Sequence, residues 1–333
     1  MDNTSFSFKR YEPQMAREWN EFVARSRNST FLFSRRYMEY HSDRFADWSL
    51  MAYRGGRLLG ILPANRAGNI LHSHQGLTYG GWVWSEKPME TGELLDLWEK
   101  WLEYCLAEGI ERIIYKSLPY IYAKQPSEEY LYFLFLSWAK LAVANVSTTI
   151  DLSHNPGFDK LRRRNLGSAL SAGIECKEIN CNGGKEGAEE FMEFHGMLTQ
   201  CLRERHDVSP VHSLKELQFL AEEFPENIRL WVARNEGEML AGVLAYVSEM
   251  CVHCQYIAST QEGRDTGALT ALFNAMIEDA TKGGKRYFDF GISNEEDGLW
   301  LNRGLNRHKT SLGGTATVYS TFLIDLAEKS DRE

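Results

Sequence analysis

Two β-hairpins of the same internal order constrain this chain of 333 residues more than any other feature. The first, Ala52-Tyr53-Arg54-Gly55-Gly56-Arg57-Leu58-Leu59-Gly60-Ile61-Leu62, reads as strand, Gly-Gly turn, strand. The second runs from Val232 through Glu236-Gly237 to Gly242-Val243-Leu244 and reads the same way. Each is followed by a strand-rich stretch and then by an amphipathic helix. The apolar helix positions are Leu94, Leu97, Trp98, Trp101, Leu102 and Cys105 in one copy, and Leu269, Leu272, Phe273, Met276, Ile277 and Ala280 in the other. That spacing lays one stripe against a sheet. Each helix then meets glycine, Gly109 or Gly283-Gly284, and enters a strand, Ile110–Tyr115 or Tyr287–Phe290. Gly60 and Gly242 are 182 residues apart, and Gly109 and Gly283 are 174 apart. The economical reading is an α/β chain of two related lobes, each a mixed sheet flanked by helices. The turn-rich Ser153-His154-Asn155-Pro156-Gly157 places the boundary so that the lobes are 1–152 and 153–333.

Other readings are excluded more quickly. Tyr130–Val146 is apolar apart from Ser137, Lys140 and Asn145, but it is too short to span a bilayer and would bury Lys140 in hydrocarbon. It is expected to be a buried helix near 128–140 that runs into a strand near 141–152. The N-terminus shows no basic region followed by an apolar one, and a cytoplasmic location is expected. Six cysteines are sparse for this length. Cys251 and Cys254 have CxxC spacing, but on a strand they face opposite ways, so core cysteines and no metal site are expected. With 37 Lys+Arg against 46 Asp+Glu, the net charge of −9 gives little long-range pull on a polyanion, so DNA is not expected as a partner.

Several segments carry a family resemblance. They are His72-Ser73-His74-Gln75-Gly76-Leu77-Thr78-Tyr79-Gly80-Gly81, Leu161-Arg162-Arg163-Arg164-Asn165, Phe288-Asp289-Phe290-Gly291 and Leu305-Asn306-Arg307-His308-Lys309-Thr310-Ser311-Leu312-Gly313-Gly314. With the duplicated hairpin–strand–helix–strand order, the chain resembles the GNAT acyltransferase superfamily and, within it, the tandem Fem-type aminoacyltransferases. The resemblance implies two GNAT-like lobes, an acceptor side in the first and a donor site in the second. It also implies transfer of an acyl or aminoacyl group to the amine of a small molecule or peptide. An acyl-coenzyme A donor such as acetyl-CoA is expected ahead of aminoacyl-tRNA. The alternatives are a tRNA-dependent transferase acting on a peptidoglycan precursor, and a non-catalytic binding module on the same scaffold.

The resemblance also assigns residues. Coenzyme A-binding relatives carry a basic, glycine-bearing loop before the helix, because helix-terminal N–H groups cradle a pyrophosphate. Here Arg264, Gly267 and Ala268 occupy it, with Leu269 where a small residue is usual and Asp265 opposing an anion. The alternative is a plain cap made by Asp265 or Thr266. Lys309 corresponds to a cleft lysine that would stabilise an oxyanion or hold a phosphate, against a solvated surface lysine. His308 stands where the family often has an aromatic ring. Asp289, at a strand end, reads as a general base or orienting group, or as a cap of the turn at Gly291. Tyr256 reads as an acid for the leaving group or as core. Tyr79 reads as an acceptor-binding phenol or as core. Arg163 and Arg164, in a run of three arginines, read as phosphate contacts or as a charged helix face.

Overall fold

A computed structural model describes residues 6–179, 185–206 and 208–327, so Cys181 lies outside the described residues. Its first half runs through β1 (Phe6–Arg10), α1 (Ala16–Arg25), α2 (Arg35–Glu39), β2 (Leu50–Arg54), β3 (Arg57–Leu62), β4 (Asn65–Ala67), β5 (Ile70–His72), β6 (Val83–Trp84), α3 (Thr91–Ala107), β7 (Arg112–Lys116), α4 (Glu129–Leu136) and β8 (Lys140–Asp151). There follow α5 (Lys160–Ser171), β9 (Glu175–Ile179), α6 (Lys185–His206), α7 (Leu214–Glu223), β10 (Ile228–Asn235), β11 (Glu238–Val247), β12 (Cys251–Ser259), α8 (Gln261–Thr266), α9 (Ala268–Lys282), β13 (Tyr287–Ile292), β14 (Asn294–Glu295), β15 (Trp300–Leu301), α10 (Arg303–Thr310) and β16 (Thr315–Asp325). The chain divides into two compact units. One is Met1–Val146 with Asn294–Trp300 and Val318–Glu333, and the other is Ser147–Ser293 with Leu301–Thr317.

In the first unit, β1, β2, β3 and β6 form an antiparallel sheet. A second set pairs β4 with β5 antiparallel, β5 with β7 parallel, and β7 with β16 antiparallel. The β2–β3 turn places Gly55 and Gly56 both at positive φ, 54° and 78°, a backbone shape that suits a tight hairpin and disfavours side chains. The six α3 positions picked out by periodicity are the six it buries, against Trp84, Tyr115 and Ile113.

In the second unit the order is β8, β13, β12, β11, β10, β9. Only β12 and β13 run parallel; the other neighbours are antiparallel. The glycine in each hairpin's second strand seats an aromatic ring. A Cβ at Gly60 would lie 2.7 Å from the Trp84 ring, and one at Gly242 would lie 2.5 Å from Phe194. Of the predicted α9 stripe, Leu272, Phe273, Met276, Ile277 and Ala280 are buried and Leu269 is not.

The segment expected as a buried helix needs correction. The helix α4 and the strand β8 are both there, but only Phe133 and Leu134 of α4 are buried. Phe135 and Trp138 are 74% and 72% exposed. The near-continuous run of apolar residues hides which side meets solvent, because periodicity carries that information and this run has little of it. Cys251 and Cys254 are buried free thiols on β12, as expected.

Candidate active site

The strands β12 and β13 are paired only over Cys251–His253 and Tyr287–Asp289. Beyond that they part, and a cavity of about 440 Å³ opens between the last residues of β12 and the helices α5, α6, α8, α9 and α10. That size is within the ordinary range for a small-molecule site. Its lining is mixed, with Ile257, Leu269 and Phe273 apolar, and with Arg162, Arg264 and Lys309 cationic.

Lys309 comes from the last turn of α10, a helix whose first turn is capped by the Asn302 side chain accepting from Leu305 N–H at 3.0 Å. The expected alternative, a solvated surface lysine, does not hold, because only 6% of Lys309 is exposed. Its Nζ donates to the carbonyls of Gly291 at 2.8 Å and Ile292 at 2.7 Å. Burial lowers its pKa from the usual lysine value to about 8, against the opposing pull of Asp289 and Cys254. At neutral pH it is therefore a buried ammonium in a cavity wall, with a third N–H beyond the two committed to carbonyls. His308 lies beside it in the lining.

The loop before α9 departs from both expectations for its cap. Thr260 accepts from Gly263 N–H at 2.9 Å and starts the short helix α8. Gly267 then turns the chain through φ 78° and begins α9 with no side-chain cap. Asp265 accepts from Gln261 instead, and Thr266 donates back to the carbonyl of Glu262, so neither caps α9. The Thr260-x-x-Gly263 spacing after a strand was the signal for α8. Gly267, Leu269 and Arg264 line the cavity, whereas Ala268 is fully buried in the core. The Arg264 guanidinium donates to Ser259 O at 2.7 Å and to the Gln261 side chain.

Of the three arginines on α5, the structure brings Arg162 to the cavity, not Arg163 or Arg164, which are exposed. Arg162 donates to Ser311 Oγ at 2.8 Å, and the helix start is capped by Asp159 accepting from Arg162 N–H. A run of three like residues gives no phase, so the sequence alone did not say which one faces inward.

Three further candidates lie elsewhere. Tyr79 is a core residue of the first unit, 3% exposed, with its hydroxyl donating to Thr30 at 3.1 Å and its ring 4.5 Å from that of Tyr122. The acceptor-binding reading is therefore corrected: the phenol is enclosed. The surrounding motif is held by packing, for a Cβ at Gly80 would sit 1.8 Å from the carbonyl oxygen of Ser73. Tyr256 is not in the cavity lining. Its hydroxyl bonds His212 Nδ1 at 2.6 Å, and burial pushes its pKa up to about 12. Asp289 is completely buried and does not line the cavity, so it is not placed to act as a base on a substrate there. Its carboxylate accepts from Ser147 Oγ, from Thr149 Oγ1 at 2.8 Å and from His253 Nδ1 at 2.7 Å. Burial pushes its pKa up, but His253 and the two hydroxyls outweigh this and hold it below the ordinary carboxylate value.

Among the described residues, no group of three or more His, Cys, Asp or Glu is placed to hold a metal ion. No described helix is long and apolar enough to cross a membrane.

Residues 160–298 match the family model described as Acetyltransferase (GNAT) domain. No curated protein matches the sequence. The whole chain is similar in fold to FemX, with 14% identity, a TM-score of 0.67, and 98% of this chain and 99% of that one covered. It is also similar to a tandem GNAT protein from the clavulanic acid biosynthesis pathway, at 14% identity and a TM-score of 0.52 over 97% and 99% of the two chains. A third similar structure is the C-terminal domain of a putative lysylphosphatidylglycerol synthetase from Agrobacterium fabrum, at 12% identity and a TM-score of 0.56 over 82% and 83%. The mixed sheets and flanking helices are thus a GNAT-type fold across both units.

Proposed function

Taking as premise a GNAT acetyltransferase domain at residues 160–298 in a chain with the fold of FemX and of a tandem GNAT protein, we propose that it is an acyltransferase that moves an acyl group from acyl-coenzyme A, such as acetyl-CoA, to an amine acceptor in the cavity of the second unit. The observation that carries this reading is the buried Lys309 ammonium in a cavity that also meets the start of α9. The acceptor nitrogen attacks the thioester carbonyl, and negative charge gathers on its oxygen. Expulsion of the thiolate, which takes the proton the amine gives up, leaves an amide and a free thiol. Lys309 supplies the charge that the oxyanion needs, already held in place by two carbonyls so that little reorganisation is required.

Asp265 is not part of the lining, so its carboxylate does not oppose an anion there. Gly267 leaves the first N–H groups of α9 without a side-chain cap, which suits a phosphate. Leu269 narrows the cradle relative to a small residue. Acetyl-CoA at a hundred times its dissociation constant is expected to stabilise the protein by about 2.7 kcal/mol, read as a thermal shift. No shift and no transfer to a panel of amines would remove the proposed donor.

One arrangement favours a second reading, in which aminoacyl-tRNA is the donor and a peptidoglycan precursor or a lipid headgroup is the acceptor. Arg163, Arg164, Arg303 and Arg307 are exposed on the two helices that carry Arg162 and Lys309, and the structures similar in fold include FemX and the putative lysylphosphatidylglycerol synthetase domain. Salt-sensitive retention of charged tRNA in a filter-binding assay would establish that donor instead.

The two donors also separate the arginines. With acyl-coenzyme A, Arg162→Gln is expected to raise the donor KM roughly three- to tenfold, since Arg162 is the α5 arginine at the cavity. Arg163→Gln and Arg164→Gln are expected to stay within about twofold. Initial rates at varied donor check this, and equal effects at all three positions would count against the assignment.

A further inference from the structure

Asp289 is a charge fully enclosed in the second unit, 0% exposed, and such a carboxylate persists only when its oxygens are fully hydrogen-bonded. Its donors come from both neighbouring strands, Ser147 and Thr149 on β8 and His253 on β12. Asp289 and His253 are also the last pair before β12 and β13 separate. Immediately beyond, the register of β13 against β8 shifts between Asp289 and Ile292, and Gly291 takes φ 79°. A bulge of this kind turns backbone groups out of the ladder. The carbonyls of Gly291 and Ile292 are the two that hold Lys309. The His253 ring abuts the bulge, since a Cβ on Gly291 would lie 3.6 Å from its Cε1.

We propose that Asp289 and His253 are positioning residues for acyl transfer: with Ser147 and Thr149 they clasp three strands where the cavity begins, and so fix the bulge whose carbonyls aim Lys309. This rests on the reading of Lys309 given above, and it extends that reading to residues that touch neither donor nor acceptor. Asp289 also favours the charged form of Lys309, so the clasp sets the proton affinity of the ammonium as well as its place. The other titratable or charged groups around Lys309 are Cys254 on β12, Arg162 on α5, Cys201 on α6, Arg264 on α8 and His308 on α10.

The test uses the full chain carrying Asp289→Asn, His253→Leu or His253→Asn. The pH at which Lys309 titrates is read directly, by competitive amine labelling and peptide mass spectrometry. In parallel, kcat, donor KM and the pH profile are measured. Asp289→Asn keeps an acceptor for Ser147 and Thr149 but removes the charge. It is expected to move the Lys309 titration down by roughly half a pH unit or more. His253→Leu is expected to lower kcat about tenfold with donor KM within about twofold, whereas His253→Asn, which keeps a donor at the Nδ1 position, restores most of it. Should Asp289→Asn fail to fold, the His253 pair carries the test. An unmoved Lys309 titration in Asp289→Asn, or an unchanged kcat in His253→Leu, overturns the proposal. So does a loss in His253→Asn equal to that in His253→Leu. If no donor supports transfer at all, the labelling titration still judges the clasp separately from the reaction.

Discussion

Lys309→Met is expected to reduce kcat/KM for acyl transfer roughly a hundred- to thousandfold, the usual consequence of removing one preorganised group from an oxyanion. Methionine approximates the lysine stem, so the cavity wall keeps its shape. The fold is expected to survive. Two carbonyls, those of Gly291 and Ile292, lose their donor, and this is offset by removal of a buried charge that burial already strains towards neutrality. Circular dichroism checks the fold, and initial rates check the loss. The wild-type profile supplies the sign. The ammonium is the working form and its pKa is lowered to about 8, so the rate is full below that value and falls about tenfold per pH unit above it. The acceptor should have a pKa below about 7, so that its own titration stays out of the window. A rate that climbs through pH 9, or a methionine variant with full activity, would remove Lys309 from the chemistry.

Gly263→Ala is expected to destabilise the second unit by about 2–4 kcal/mol. A Cβ there would lie 2.1 Å from the carbonyl oxygen of Leu240 on β11 and 2.8 Å from Ser259 Oγ. Neither neighbour can swing away: one is a strand carbonyl that already accepts from Thr260 N–H, and the other is a buried serine. The short helix α8 must lift from the sheet, and it carries Arg264 with it. Donor KM should therefore rise together with the loss seen in urea unfolding. Gly167→Ala is the control, because nothing lies within 4 Å of its Cβ position and α5 is helical there. It is expected to be neutral or to stabilise by up to about 1 kcal/mol. Equal stability of the two variants would show that the tight approach of α8 to β11 does not matter.

What was legible in the sequence follows from range. Hairpins, helix stripes and helix exits depend on neighbours within a few residues, and the α3 stripe was read correctly in all six of its buried positions. Lys309 was reached through its resemblance to a family pattern, but its burial was not, because the two carbonyls that hold it lie 17 and 18 residues away, before β14. Asp289 shows the same limit more sharply. Strand alternation places its side chain opposite Phe288 and Phe290, but says nothing about the hydroxyls of β8, 140 and 142 residues earlier, that close over it. Tyr256 is tied to a histidine 44 residues distant for a like reason. Tyr79 misled because glycines that admit a ligand and glycines that admit a neighbouring carbonyl look identical in a one-dimensional string. Leu269 was grouped with the core by its spacing, yet it sits at the first turn of α9, where the stripe runs out into the cavity.

The route of the chain through its two compact bodies has a consequence for synthesis. The partner of β7 along Arg112–Lys116 is Thr321–Asp325, and Ile324 and Leu326 are part of the same apolar core as Trp98 and Trp101. On the ribosome, the body begun first is therefore the one completed last, and residues 112–116 must wait with an open β edge until translation has passed residue 325. A gene shortened at residue 152 would make that delay permanent. Its product is expected to aggregate unless the missing strand is supplied in trans or fused back onto it.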